Sequence, residues 1–299
     1  MANVLEVRDL KVEFHVNEGV VHAVRGVSFR IPAGRTVALV GESGSGKSVV
    51  SQAIMGILPA PARITGGQIL FDDPGSEGPP IDIARLKRGS AAMRRLQGGR
   101  ISIIFQEPMT SLSPLHTIGN QISEALKLHR EVDAKTAREL TEATLGHVGF
   151  PNPSRAYETY PFELSGGLRQ RAMIAMALIC RPAILVADEP TTALDVTIQA
   201  QILKLIKDLQ AELGMAVLMI THDLGVVANM ADEIVVMYHG QIMEAGTLDD
   251  IFRAPEHPYL KALLRAVPRF NMKPGERLIP IREIETEIGG HLKKAKRPW

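Results

Sequence analysis

Residues 36–55 read Thr36-Val37-Ala38-Leu39-Val40, then Gly41-Glu42-Ser43-Gly44-Ser45-Gly46-Lys47-Ser48, then Val49-Val50-Ser51-Gln52-Ala53-Ile54-Met55, and they decide the fold. The first run is apolar without a break and reads as a buried strand. The last reads as a helix, and the middle is rich in glycine. A strand, a glycine loop and a helix in that order form the context the phosphate-binding P-loop requires. Glycines at 41, 44 and 46 let the backbone turn so that successive N–H groups point inward, and the helix N-terminus adds about half a positive charge facing the same hollow. An anion belongs there. Lys47 would reach the β- and γ-phosphates of ATP, and the Ser48 hydroxyl would hold Mg²⁺. Gly41, Glu42, Ser43, Gly44, Ser45, Gly46, Lys47, Ser48 and Val49 are therefore the candidate nucleotide-binding residues. A chance glycine-rich turn ending in Gly-Lys-Ser would lack the flanking strand and helix.

The chain has 299 residues, 45% of them hydrophobic, which suits one large or two modest globular domains. With 34 basic against 33 acidic residues the formal net charge is +1, so no global field attracts nucleic acid or anionic lipid. The lone cysteine, Cys180, excludes an intrachain disulfide framework; lying in an apolar stretch, it reads as a small buried hydrophobe in a reducing compartment. Met1 to Leu10 lacks the charged start and apolar centre of a signal peptide. The longest apolar run, Ala172 to Cys180, falls far short of the ~20 residues a membrane helix needs. The sequence predicts a soluble chain with one P-loop.

Residues 4–31 alternate apolar and polar in short pieces, which predicts an antiparallel sheet with one exposed face. Phe14, in that sheet, could stack on a purine or belong to the core. Gln68 to Phe71 reads as a further strand, and 72–80, rich in Gly, Pro and acidic residues, as a surface loop. Ile101 to Phe105 is a buried strand, and Gln106, at its end, lies where α/β sheets bind ligands. From Thr117 to about Ile179 the composition is helical: Thr117 caps 118–129, Asp133 caps 134–148, and Ser165 caps a third helix beginning near Gly166. Gly166 and Gly167 leave the first N–H groups of that helix uncovered, a second anion-binding helix start. Ala183 to Ala187 is a fully apolar strand ending in Asp188-Glu189. Adjacent carboxylates at the mouth of a buried strand are costly unless they meet a cation or a polar ligand; Asp188 would hold Mg²⁺ and Glu189 would accept a proton from the attacking water. A stripe at Ile198, Ile202, Leu205, Leu209 and Leu213 is core, with Gly214 ending the helix. Strands follow at 216–221, leading to His222 as a γ-phosphate contact, at 233–238 and at 241–244, and then a helical tail.

Taken in order, the P-loop, Gln106, Leu164-Ser165-Gly166-Gly167, Asp188-Glu189, Ala193-Leu194-Asp195 and His222 resemble the ATP-binding subunits of ABC transporters over roughly residues 4–270. That resemblance implies an α/β fold: a P-loop (RecA-like) core with a mostly parallel sheet, an N-terminal antiparallel β subdomain and a helical subdomain inserted at about 107–179. It implies an ATPase domain over 1–250 and an extension with a basic tail over 251–299. By resemblance Gln106 senses the membrane subunit and reaches Mg²⁺, Ser165 to Leu168 form the signature, Asp195 lies in the inter-subunit loop, His222 is the switch histidine and Phe14 stacks on adenine. Lys47, Gln106, Glu189 and His222 are the catalytic candidates, and Ser48, Gln106 and Asp188 the metal candidates.

The phrases Phe105-Gln106-Glu107-Pro108-Met109-Thr110-Ser111-Leu112, Leu194-Asp195-Val196-Thr197-Ile198-Gln199-Ala200-Gln201 and His257-Pro258-Tyr259 look like the oligopeptide/dipeptide importer branch, and Ala53-Ile54-Met55-Gly56 like its D-type subunit. The implied partners are a second ATP-binding subunit, either an unlike F-type chain or another copy; two transmembrane permease subunits; and, indirectly, a periplasmic or extracellular solute-binding protein. The implied place is the cytoplasmic face of the bacterial inner membrane. Leu168 departs from the family's usual glutamine, and the absence of a cysteine-rich C-terminal segment removes any iron–sulphur expectation. The rival is a soluble ABC ATPase acting on nucleic acid or ribosomes, but neither long coiled coils nor duplicated ATPase units with basic linkers are visible.

Overall fold

The structure is a computed structural model and describes residues 2–106, 111–192 and 194–266. Two long strands, β1 (Asn3–Val16) and β2 (Gly19–Pro32), pair antiparallel through the Gly19 turn. β3 (Thr36–Val40) leads into the glycine loop and helix α1 (Lys47–Met55). β4 (Ala62–Phe71) returns to pair with β1, and the short β5 (Ile81–Asp82) adds to its edge, giving the antiparallel sheet β2-β1-β4-β5. The strand expected at 68–71 thus begins six residues earlier, at Ala62. After α2 (Ala91–Leu96), β6 (Ile101–Ile104) enters the second sheet.

The helical stretch follows as α3 (Ile118–His129), α4 (Ala134–His147), α5 (Pro153–Tyr157) and α6 (Gly166–Leu178). Its caps form as expected: the Thr117, Asp133 and Ser165 side chains accept the N–H groups of Asn120, Thr136 and Leu168. The chain then returns to the sheet through β7 (Ile184–Asp188), α7 (Val196–Leu213), β8 (Ala216–Thr221), α8 (Leu224–Met230), β9 (Glu233–Tyr238) and β10 (Gln241–Thr247), and closes with α9 (Leu248–Arg253) and α10 (Pro258–Ala266). Among the described residues, no helix is long and apolar enough to cross a membrane.

The strand order β10-β9-β3-β8-β7-β6 is parallel except for the β10 edge. Side-chain alternation explains why its parallel strands are almost entirely apolar. In β8, Ala216, Leu218 and Ile220 enter one core with the antiparallel sheet and α1, while Val217 and Met219 enter another with the inserted helices. Ala38 and Val40 of β3 join a third core with α8, α9 and α10. A strand covered on both faces leaves few positions for polar side chains before its end; Ser102 of β6 is one, buried with its hydroxyl donating to the Gly98 carbonyl at 3.2 Å. Polar residues therefore collect at the carboxyl ends of adjacent strands, which is where such sheets bind ligands.

Candidate functional site

Four loops meet at that edge. The P-loop leaves β3, His222 follows β8, Glu189 follows β7 and Gln106 lies two residues beyond β6; β3, β8, β7 and β6 are consecutive neighbours in the sheet. Their side chains line one cavity of about 680 Å³, together with Gly41, Glu42, Ser43, Gly44, Gly46, Lys47, Ser48 and Val49. The glycines carry the backbone strain of the loop: Gly41, Gly44 and Gly46 have φ of 153°, 80° and 100°.

Lys47 bends back over the loop. Its Nζ donates to the carbonyl oxygens of Gly41 at 2.7 Å and Glu42 at 2.8 Å. Loss of solvent lowers its ammonium pKa, against the opposing pull of Glu189, Asp188 and Glu42. Ser48 Oγ donates to Asp188 Oδ1 at 3.4 Å, and Ser51 Oγ to Oδ2 at 3.2 Å. Burial pushes the Asp188 carboxyl above its ordinary range, and these two hydroxyls only partly offset it. Ser51 has no signal in the sequence beyond its place one turn into α1.

Glu189 is held differently. Its backbone is left-handed at φ 47° and its N–H donates to the Ile220 carbonyl at 2.9 Å, which turns the side chain back across the strand ends. Gln106 Nε2 donates to Oε2 at 3.0 Å, and Thr192 Oγ1 donates to the same oxygen at 2.9 Å. His222 Nδ1 lies 2.9 Å from Oε1. Burial works against the charge, but the bonds from His222 and Thr192 outweigh it, so the carboxyl sits below its ordinary range. An ionised carboxylate only accepts, which places the proton on His222 Nδ1. Thr192 was not foreseen; its role depends on the tight turn that brings residue 192 back beside residue 189.

The remaining candidates lie elsewhere. Ser165 and Asp195 are exposed N-caps of α6 and α7, accepting from Leu168 N–H at 3.4 Å and Ile198 N–H at 3.0 Å. These helix starts are neighbours: a Cβ on Gly167 would come within 3.0 Å of Ile198, and one on Gly166 within 3.8 Å of Leu194. None of Ser165, Gly166, Gly167 and Asp195 lines the P-loop cavity of its own chain. Phe14 is half-buried against the core of the antiparallel sheet and does not line it either. Residues 107–110, Ala193 and the basic 293–299 tail lie outside the described residues.

A P-loop beside a buried aspartate and a half-buried glutamate, on a mostly parallel sheet with an inserted helical unit, defines a P-loop ATPase. The family profile described as ABC transporter matches residues 24–192, and the one described as oligopeptide/dipeptide transporter, C-terminal region, matches residues 243–291. The chain belongs to the ABC transporter family, as its ATP-binding and ATP-hydrolysing component. It is 52% identical to the dipeptide transport ATP-binding protein DppD of Bacillus subtilis (strain 168) over 94% of this chain and 81% of that one. It is 49% identical to the glutathione import ATP-binding protein GsiA of Escherichia coli O157:H7 over 91% of this chain, but spans only 43% of that protein's length. Among solved structures, the dimeric ATP-binding cassette MJ0796 bound to ADP and Pi in a post-hydrolysis state aligns with a TM-score of 0.70 and 26% identity, over 82% of this chain and 98% of that one.

Proposed function

We propose that this ATPase drives uptake of dipeptides or oligopeptides, working with a second ATP-binding subunit, unlike or identical, and two membrane permease subunits at the cytoplasmic face of the cell membrane, with a solute-binding protein acting from the far side. The similarity to a dipeptide transport subunit over most of both chains and the C-terminal match support the solute class. The observation that carries the chemistry is the convergence of Gln106, Thr192 and His222 on the Glu189 carboxylate at the mouth of the P-loop cavity.

Each residue has a task that its surroundings fit. Lys47 Nζ, now bonded to two loop carbonyls, turns to the β- and γ-phosphate oxygens, with the loop N–H groups around it. Ser48 and Asp188 would hold Mg²⁺: a hydroxyl and a buried carboxylate make an all-oxygen pair suited to a hard cation, and burial raises the Asp188 carboxyl despite the nearby Lys47 charge. No group of three or more His, Cys, Asp or Glu suited to a metal occurs among the described residues, so phosphate and water oxygens would complete the shell. When bound, the ion neutralises charge on the phosphate oxygens. Glu189 stays ionised to take the proton of the attacking water, while Gln106, Thr192 and His222 fix its direction. His222 also lines the cavity as the γ-phosphate contact.

Glu189→Gln tests this directly. The amide keeps the shape but cannot take the proton, so ATP affinity should hold while turnover falls by at least about 100-fold; undiminished hydrolysis refutes the role. Cells lacking the chain should lose uptake of labelled dipeptides and regain it with the wild type but not with Glu189→Gln. Normal uptake without the chain refutes the solute class.

A further inference from the structure

The nucleotide cavity is bordered from the far end of the chain by α10. Its approach is fastened by Glu244, whose carboxylate accepts the N–H groups of Glu256 at 3.0 Å and His257 at 2.8 Å. His257 Nδ1 then accepts the Tyr259 N–H at 3.1 Å. Tyr259 and Leu260 are fully buried in the core that contains Val40, the residue before the P-loop. The Tyr259 ring packs on Tyr238 with centroids 4.3 Å apart. One turn further along the same helix face, Leu263 lines the nucleotide cavity.

The Tyr259 hydroxyl is the unusual atom. It is buried, in a residue only 2% exposed, and although it lies within reach of the Glu42 backbone it makes no hydrogen bond of full geometry. Burial, followed by the charge of Glu42, pushes the phenol well above its ordinary range, against a smaller pull from the Glu42 backbone. It is thus held neutral beside the second residue of the P-loop. A role in packing alone would be met by phenylalanine, which fills the same space without burying an unsatisfied hydroxyl.

We propose that α10 is a wall of the nucleotide cavity and that Tyr259 is a positioning residue for the P-loop, its hydroxyl completing a hydrogen bond with the Glu42 backbone when the loop closes on nucleotide. This rests on the ATP-binding reading above. It makes the C-terminal extension part of the ATP site.

The test measures magnesium-ATP affinity and the nucleotide-free thermal midpoint of the full chain for the wild type, Tyr259→Phe and Leu263→Ala. Tyr259→Phe should keep or raise the nucleotide-free midpoint, since it removes an unsatisfied buried group, yet weaken affinity about five-fold. Leu263→Ala should weaken affinity as well, because the wall retreats. Unchanged affinity in either variant overturns the proposal. So does a loss in Tyr259→Phe that tracks a lowered nucleotide-free midpoint, which marks packing alone. A wild type that binds no ATP overturns the parent reading instead, so the two failures are told apart.

Discussion

Asp188 and Glu189 are adjacent in sequence and opposite in electrostatics. Burial dominates at Asp188 and raises its carboxyl; at Glu189 burial also pushes upward, but hydrogen bonds from His222 and Thr192, together with nearby positive charge, leave the carboxyl lowered. The signs give opposite contributions to stability. Glu189, depressed below its unfolded value, adds stability above that value and loses it as pH falls through the folded pKa; Asp188, raised, costs stability at neutral pH and stops doing so on protonation. Asp188→Asn removes the buried charge and keeps an acceptor for Ser48 and Ser51. The nucleotide-free variant should gain about 1 kcal/mol at neutral pH, while hydrolysis falls by at least about 100-fold with the loss of the metal ligand. The gain should shrink as pH falls toward the raised Asp188 pKa, because protonation relieves the wild type of the same cost. Denaturant melts at neutral and mildly acidic pH check this, and a less stable variant would show that Asp188 is not strained by burial.

At the scale of the element, the P-loop works because its backbone runs against its neighbours where only glycine fits. Gly41 is at φ 153°, and a Cβ there would overlap the Met237 carbonyl of β9. Gly41→Ala should therefore cost about 2–4 kcal/mol, through strain added to steric overlap, and lower the thermal midpoint with or without nucleotide. A variant as stable as the wild type would mean that β9 yields easily. The same tightness made this stretch legible in the sequence, since glycine spacing and an apolar strand leave few other readings. β8 and β9 were equally plain, being apolar between their ends and bounded by turns, and they span 216–221 and 233–238 as expected. β4 was half read: Gly66 and Gly67 look like a turn, yet the strand continues through them with a shift in its register against β1, Gly67 standing at φ 88° closely apposed to the backbone of Asp9. α2 and α5, of 6 and 5 residues, are too short to show a helical period.

For the whole molecule, legibility depended on distance along the chain. Residues placed by strand ends could be read, because the parallel strands of one sheet deliver their last residues to the same edge. Contacts made across 200 residues could not: nothing in 258–266 states that Tyr259 meets Glu42 or that Leu263 faces the P-loop. The signature residues pose the opposite problem. Ser165, Gly166 and Gly167 stand at the start of α6, Ser165 and Gly166 exposed, and they do not line the cavity of their own chain. A helix start of this kind attracts anions, so a phosphate group contacted by Ser165 would belong to another copy or an unlike partner. Two chains sharing two nucleotides would gain affinity for each other only while ATP is intact, and hydrolysis would remove the shared contact. Glu189→Gln with magnesium-ATP should therefore shift from monomer to dimer in light scattering, and the shift should vanish with magnesium-ADP. Adding Ser165→Arg, which places bulk and charge at the α6 start without touching the P-loop, should leave ATP binding intact and abolish the dimer. A Glu189→Gln protein that stays monomeric when saturated, both alone and with its unlike partner, would mean that each chain encloses its ATP by itself.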